Sequence, residues 1–317
     1  MSKPRFYVTR HLPDAVMTAL TDRFDLTRPP EAAPPNRDTV SAGIREADAL
    51  ICTLAEQIDA SMLEKATRLR IIANYAVGYN NIDLDATRAR SIIVTNTPDI
   101  LTESTADLTW ALLLAAARRI PAGHSLVRQG AWTGWEPRQL LGDDVSGHTL
   151  GIIGMGRIGQ AVARRALGFN MPVRYYNRTP RDFPDHSWKR TAFDGVLTEA
   201  DFLTLHVPLT PDTRHLIGPR ELQLMRPTAY LINVARGPVV DEEALVKALQ
   251  ERRLAGAGLD VYEHEPAIHP GLLALDNVVT LPHVGSATHT TRIRMGMVCL
   301  ENILAVMEGR PAPNRVA

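Results

Sequence analysis

Three stretches share one form, an apolar strand-like run closed by a polar residue that can bind or transfer a proton. They are LINVARGPVVDE with Arg236, GLDVYEHEP with Glu265 and VVTLPHVGSATH with His283. In an open α/β sheet the chemistry collects at the carboxyl ends of the strands, so residues far apart in sequence can converge there. Each alone has a plainer reading: a capping cation, a loop carboxylate, a turn histidine. Together they supply a cation for a carboxylate, a proton donor for a carbonyl oxygen and a carboxylate to hold that donor. Reduction of a 2-oxo acid requires these three groups. The cation matters as an arginine, because its planar fork meets a carboxylate bidentately and lysine cannot copy that.

Such a reduction needs a hydride source, and GIIGMGRIGQ at 151–160 points to one. A lone GxGxxG is weak, but here the glycines follow an apolar run and open a helix-like segment, the strand, tight turn and helix that dinucleotide binding needs. Gly154 makes the turn, Gly156 lets main chain approach a pyrophosphate, and Gly159 lets the helix lie close to the sheet. Arg157 and Ile158 then present N–H groups to phosphate oxygens at the helix start. The next strand ends in VRYYNRTPR, where an NAD site would place an acid about 20 residues beyond the first glycines to grip the ribose. This chain has Asn177, followed by Arg178 and Thr179. An amide does not repel a 2′-phosphate and Arg178 can pair with one, so NADP(H) is the expected cofactor and NAD(H) remains possible. A charge-assisted hydrogen bond of about 1.5–3 kcal/mol corresponds to roughly tenfold to a hundredfold preference. The alternative is a solvated surface arginine beside NAD(H).

The elements that must position these residues read as α/β throughout. RFYVT, ADALICT, LRIIANY and SIIVTN are strand-like, with helices expected at 13–23, 37–46 and 59–66 between them, a parallel sheet covered on both faces. TESTADLTWALLLAAARR at 102–119 is a helix crossing into a second domain, with two arginines expected in its last turn. HTLGIIG, VRYYN, DFLTLHV, AYLINVA, AGAGLDV and NVVTLP are six further strands around helices at 157–168, 219–226 and 241–250. The final helical segment, THTTRIRMGMVCLENILAVMEG, has no strand of its own and is expected to pack back on the first domain. The result is two Rossmann-like domains with doubly wound parallel sheets. A discontinuous substrate domain takes 1–99 and 287–317, and the dinucleotide-binding domain takes 100–286. Proline-rich stretches at 29–35 and 311–313 read as a loop and a tail.

The 317 residues suit two domains at roughly 150 each. Lys plus Arg and Asp plus Glu both total 35, so nothing global points to nucleic acid or an anionic membrane. No apolar run approaches the ~18–20 residues of a spanning helix. Without a recognisable secretory signal, the cytosol is the expected compartment. Cys52 and Cys299 fit no metal or redox spacing and read as buried thiols, and no metal is expected.

Over nearly its full length the chain resembles the D-2-hydroxy-acid dehydrogenases, and most closely the glyoxylate and hydroxypyruvate reductases. The resemblance is carried by AVGYNNIDLDA at 76–86, STADLTWALLLAAARR at 104–119, GIIGMGRIGQAVA at 151–163, LHVPLTPDTRHLI at 205–217, LINVARGPVVDEEALVKAL at 231–249, GLDVYEHEP at 258–266 and LPHVGSAT at 281–288. It implies that His283 is the acid/base, Glu265 its carboxylate partner and Arg236 the substrate-carboxylate clamp. It implies substrate contacts at Leu54, Val77, Gly78 and Ser286. Cofactor contacts are implied at Thr105, His206, Pro208, Thr213, Val234, Ala235 and His283, with Asp260 holding the nicotinamide amide. Trp135, in GAWTGWEPRQLLGDD, is similar to a loop tryptophan that reaches a neighbouring subunit's active site, implying a homodimer; anchoring the loop within its own chain is the alternative. The resemblance leaves open a larger 2-oxo acid such as phenylpyruvate, and a non-enzymatic cofactor-sensing interaction protein of the same fold.

Overall fold

The computed structural model describes residues 3–29, 34–181, 183 and 187–317, so the loop expected at 29–35 lies partly outside the described residues. The chain divides into two units, Met1–Leu101 with Ser286–Ala317, and Thr102–Gly285.

The first unit holds strands β1 (Arg5–Val8), β2 (Asp25–Thr27), β3 (Ala49–Cys52), β4 (Ile71–Asn74) and β5 (Ile93–Thr95), in the order β2-β1-β3-β4-β5 and parallel throughout. Side chains alternate between faces along a strand. Phe6, Val8, Ala49, Ile51, Ile71 and Ala73 therefore enter one core cluster while Tyr7, Leu50, Cys52 and Ile72 enter another. Both faces are buried, which is why these strands read as continuous apolar runs. Helices α1 (Asp14–Thr21), α2 (Arg37–Arg45), α3 (Ala60–Leu63) and α4 (Leu84–Ala89) fill the crossovers. The short β2 and α4 have no counterpart in the sequence expectation, for three mostly exposed residues and one polar turn carry little periodicity.

The second unit opens with α5 (Thr102–Ala117) and α6 (Ile120–Arg128). The helix α5 stops before Arg118 and Arg119, so the two arginines expected in its last turn lie beyond it. Arg119 takes a left-handed φ of 50° and pairs with Asp276 at 3.1 Å. Seven parallel strands follow: β6 (Leu150–Ile153), β7 (Val173–Tyr176), β8 (Trp188–Arg190), β9 (Phe202–Leu205), β10 (Tyr230–Asn233), β11 (Gly256–Leu259) and β12 (Val278–Thr280). Between them lie α7 (Arg157–Ala166), α8 (Phe193–Glu199), α9 (Pro219–Leu224), α10 (Glu242–Gln250) and α11 (Pro270–Leu273). The strand order is β12-β11-β10-β9-β6-β7-β8, so β6 has β7 on one side and β9 on the other. That reversal opens the crevice where ligands sit in doubly wound sheets. The sequence expectation has six strands here; the seventh, β8, is an edge of three residues with Lys189 and Arg190 exposed, the short charged form that edges favour. The closing helix α12 (His289–Met307) belongs to the first unit, where it packs on β4 and α1. Cys52 and Cys299 are buried free thiols. Among the described residues no helix is long and apolar enough to cross a membrane, and no cluster of three His, Cys, Asp or Glu could hold a metal.

Candidate active site

The three glycines after β6 each answer a different steric demand. Gly154 has a φ of 97°, and a Cβ there would stand 2.7 Å from the backbone carbonyl of His206. A Cβ on Gly159 would collide with the carbonyl oxygen of Gly154, so only glycine lets α7 close on the turn. Gly156 is different: its φ of −77° suits any residue and nothing lies within 4 Å of its missing Cβ. The open space over Gly156 is a cradle for a bulky group. Gly156 also caps α7 without any side-chain hydrogen bond, so Arg157 and Ile158 begin a helix whose positive end meets that cradle. These features fit a dinucleotide pyrophosphate.

Asn177 follows β7, and its Oδ1 accepts a 2.6 Å hydrogen bond from the Met155 N–H. The residue expected at the ribose therefore pins the glycine turn. Arg178 is 78 % exposed and pairs with Asp212 at 2.8 Å; Thr179 is exposed. Beyond β9, the Thr213 hydroxyl donates to the Pro208 carbonyl at 2.7 Å and accepts from the Thr210 N–H at 2.8 Å, which staples the 208–213 loop. Burial pushes the His206 imidazole down to about 3, and among the described residues neither ring nitrogen has a partner. Its main-chain carbonyl is the wall against which Gly154 packs.

The expected proton-transfer group is assembled within the second unit. His283 Nδ1 lies 2.8 Å from Glu265 Oε2, while Glu265 Oε1 accepts from the Tyr262 N–H at 3.0 Å. Burial favours the neutral carboxyl at Glu265, but the hydrogen bond and charge of His283, the Tyr262 N–H and the Arg236 charge outweigh it, holding the pKa below its usual value. With Nδ1 occupied, Nε2 is the nitrogen left to serve a substrate. His283 itself has a left-handed φ of 54°, uncommon for a residue with a side chain and a mark of functional sites. Arg236 follows β10. Asn233 shapes this turn, accepting from the Ala235 N–H at 3.0 Å and donating to the Arg236 carbonyl at 3.1 Å, and Val234 and Ala235 are buried within it. A Cβ on Gly237 would overlap the Tyr262 carbonyl, so glycine lets the arginine turn lie directly against the loop that carries Glu265. Burial lowers the Arg236 pKa and Glu265 opposes it.

Two residues do more than the sequence indicates. Asp260 accepts from the Val284 N–H at 2.7 Å with Oδ1 and from the Gly285 N–H at 2.8 Å with Oδ2. The Thr105 hydroxyl donates to the Gly285 carbonyl at 3.2 Å. Both hold the turn that displays His283, so they are structural supports of that residue besides the cofactor contacts expected of them. The missed signal is position: Asp260 directly ends β11 at the reactive edge of the sheet. Leu54, Val77, Gly78 and Ser286 are half-buried residues of the first unit. Trp135 stands on a loop of the second unit and is 79 % exposed.

Strand order, glycine cradle and the histidine–glutamate–arginine group define a nicotinamide-dependent oxidoreductase. The NAD binding domain of the D-isomer specific 2-hydroxyacid dehydrogenases matches residues 110–285. A glyoxylate reductase of Thermococcus gammatolerans is 47 % identical over 320 residues, covering 99 % of this chain and 96 % of that protein. A crystal structure of a Thermus thermophilus protein superposes with a TM-score of 0.92 at 47 % identity, covering 99 % of this chain and 100 % of that one. An NADPH-dependent glyoxylate/hydroxypyruvate reductase from Sinorhizobium meliloti, solved with NADP and malonate, has a TM-score of 0.87 at 35 % identity, covering 100 % of this chain and 97 % of its own. The chain belongs to the D-isomer specific 2-hydroxyacid dehydrogenase family, in its glyoxylate reductase branch.

Proposed function

We propose that this enzyme reduces small 2-oxo acids, glyoxylate to glycolate and hydroxypyruvate to D-glycerate, with NADPH preferred. The 2.8 Å pair of His283 and Glu265 carries this reading. The bound nicotinamide supplies the hydride. His283 gives its Nε2 proton to the carbonyl oxygen as that oxygen becomes an alkoxide, and Glu265 fixes the ring and balances its charge. Arg236 takes the substrate carboxylate in a bidentate grip and polarises the carbonyl. Val77 and Gly78 add main-chain donors to the carboxylate, with Leu54 and Ser286 bordering the substrate. The glycine turn, Arg157 and Ile158 take the pyrophosphate, and Thr105, His206, Pro208, Thr213, Val234, Ala235 and Asp260 line the cofactor.

The amide at Asn177 and the adjacent Arg178 support NADPH, because an acid there would repel the 2′-phosphate. The enzyme is a homodimer in this reading, supported by an exposed apolar run: α6 buries none of its residues, and Ile120, Val127, Trp132, Trp135 and Leu141 face solvent. Two buried free thiols accord with the cytoplasm as its compartment. Initial rates with glyoxylate and hydroxypyruvate, NADPH against NADH, on the wild type and Arg178→Ala test the assignment. NADPH is expected to be favoured and the preference to collapse in the variant. Equal use of NADH by the wild type refutes the cofactor assignment, and no turnover with either cofactor refutes the substrate class.

A further inference from the structure

The turn after β4, residues 76–79, has three consecutive carbonyls, and each is held by a different donor of the first unit. The Ala76 oxygen accepts from the Thr97 N–H at 2.9 Å. The Val77 oxygen accepts from Asn96 Nδ2 at 2.8 Å, and the Gly78 oxygen from Asn74 Nδ2 at 2.7 Å. A trans peptide is planar, so its N–H points opposite to its carbonyl. Holding these three carbonyls therefore orients the N–H groups of Val77, Gly78 and Tyr79 away from their anchors. No acceptor among the described residues takes any of the three. Successive main-chain donors without internal acceptors form a concavity suited to an anion.

The anchors are themselves fixed. Asn74 and Asn81 are fully buried and Asn96 nearly so, a costly placement unless every polar atom is used. Asn74 and Asn81 face each other at 3.4 Å, and Asn81 Nδ2 reaches the carbonyls of Thr53 at 3.0 Å and Glu56 at 3.1 Å. One buried amide pair thus ties the 76–79 turn to the loop carrying Leu54. These amides serve loop carbonyls, where a sheet or helix would have used main-chain partners.

We propose that Asn74 and Asn96 are positioning residues for the substrate carboxylate, acting through the main chain: Asn96 aims the Gly78 N–H, Asn74 aims the Tyr79 N–H, and Tyr79 is a third main-chain donor beside Val77 and Gly78. This rests on the 2-oxo-acid reading above. The carboxylate is bound by dipoles whose direction is set from behind, so loss of an anchor weakens substrate binding and leaves the proton-transfer group intact.

The test uses Asn96→Ala and the isosteric Asn74→Asp, with Asn36→Ala as a stability control. Asn36 caps α2 by accepting from the Thr39 N–H and touches none of these loops. The readouts are KM and kcat for glyoxylate, the inhibition constant of oxamate as an unreactive carboxylate probe, NADPH affinity by fluorescence, and Tm. For both positioning variants the glyoxylate KM and the oxamate constant are expected to rise about tenfold, the loss of one charge-assisted hydrogen bond. NADPH affinity should hold and kcat should change far less than KM. Asn36→Ala should lower Tm with KM unmoved. An active wild type with unchanged KM and oxamate constant in Asn96→Ala overturns the positioning role alone, even if Asn74→Asp fails to fold. A wild type that turns over no 2-oxo acid overturns the reading beneath it as well.

Discussion

At the scale of single residues, the acid/base pair makes the sharpest demand. His283→Ala removes the proposed proton donor, and kcat is expected to fall by about 10²–10⁴-fold while NADPH affinity, measured by fluorescence titration, stays near wild type. The partner carboxylate has a separate signature. Glu265 is held below its ordinary value of 4.5 in the folded protein, so its contribution to stability is complete above pH 4.5 and is lost as the pH falls through the folded value. The Tm advantage of the wild type over Glu265→Gln should therefore be largest near neutrality and shrink below pH 4.5. A gap independent of pH would mean that Glu265 packs without acting as a charge. Arg178 carries a third demand: in the proposed NADPH site, its pair with Asp212 at 2.8 Å competes with the 2′-phosphate. An exposed ion pair is worth about 0–1 kcal/mol, so Asp212→Asn should strengthen the NADPH preference by up to about fivefold, read as the ratio of kcat/KM for the two cofactors.

At the scale of elements, the glycines separate function from folding. Gly156→Ala meets open space at an ordinary φ, so Tm should be unchanged while the cofactor KM rises. Gly237→Ala meets the Tyr262 carbonyl, so both Tm and kcat should drop, since the arginine turn can no longer rest on the Glu265 loop. Equal thermal damage in the two variants would contradict the cradle over Gly156. The same contrast explains what was legible in the sequence. The apolar runs of β1, β3, β4, β6 and β9 announce themselves because both sheet faces are buried, and the glycine pattern is readable because sterics permit nothing else at Gly154 and Gly159. The edge strands β2 and β8 escape notice because three residues, largely solvated, have no periodicity to read. Asp260 and Thr105 are visible as site residues, yet their hydrogen bonds to the 284–285 turn are tertiary facts that no spacing encodes.

At the scale of the whole molecule, the exposed apolar residues of α6 and the following loop ask for a partner. Sedimentation equilibrium should give a dimer. If, as proposed, Trp135 serves the neighbouring site, Trp135→Ala should keep that dimer and raise the glyoxylate KM. A monomeric wild type would leave the tryptophan to its own chain. The division of the chain also separates two kinds of work: Arg236, Glu265, His283 and the glycine turn all belong to the second unit, and the 76–79 turn belongs to the first. In the proposal above, what that turn gives the substrate carboxylate is its peptide N–H groups. A binding surface written in peptide N–H groups is the same for every side chain at those positions, so substitutions at Val77 or Tyr79 can reshape the rim without erasing the grip. On the proposed mode of binding, side-chain changes at Val77 and Tyr79 retune which substrates fit, whereas changes at the buried Asn74 and Asn96 disturb the carboxylate grip itself.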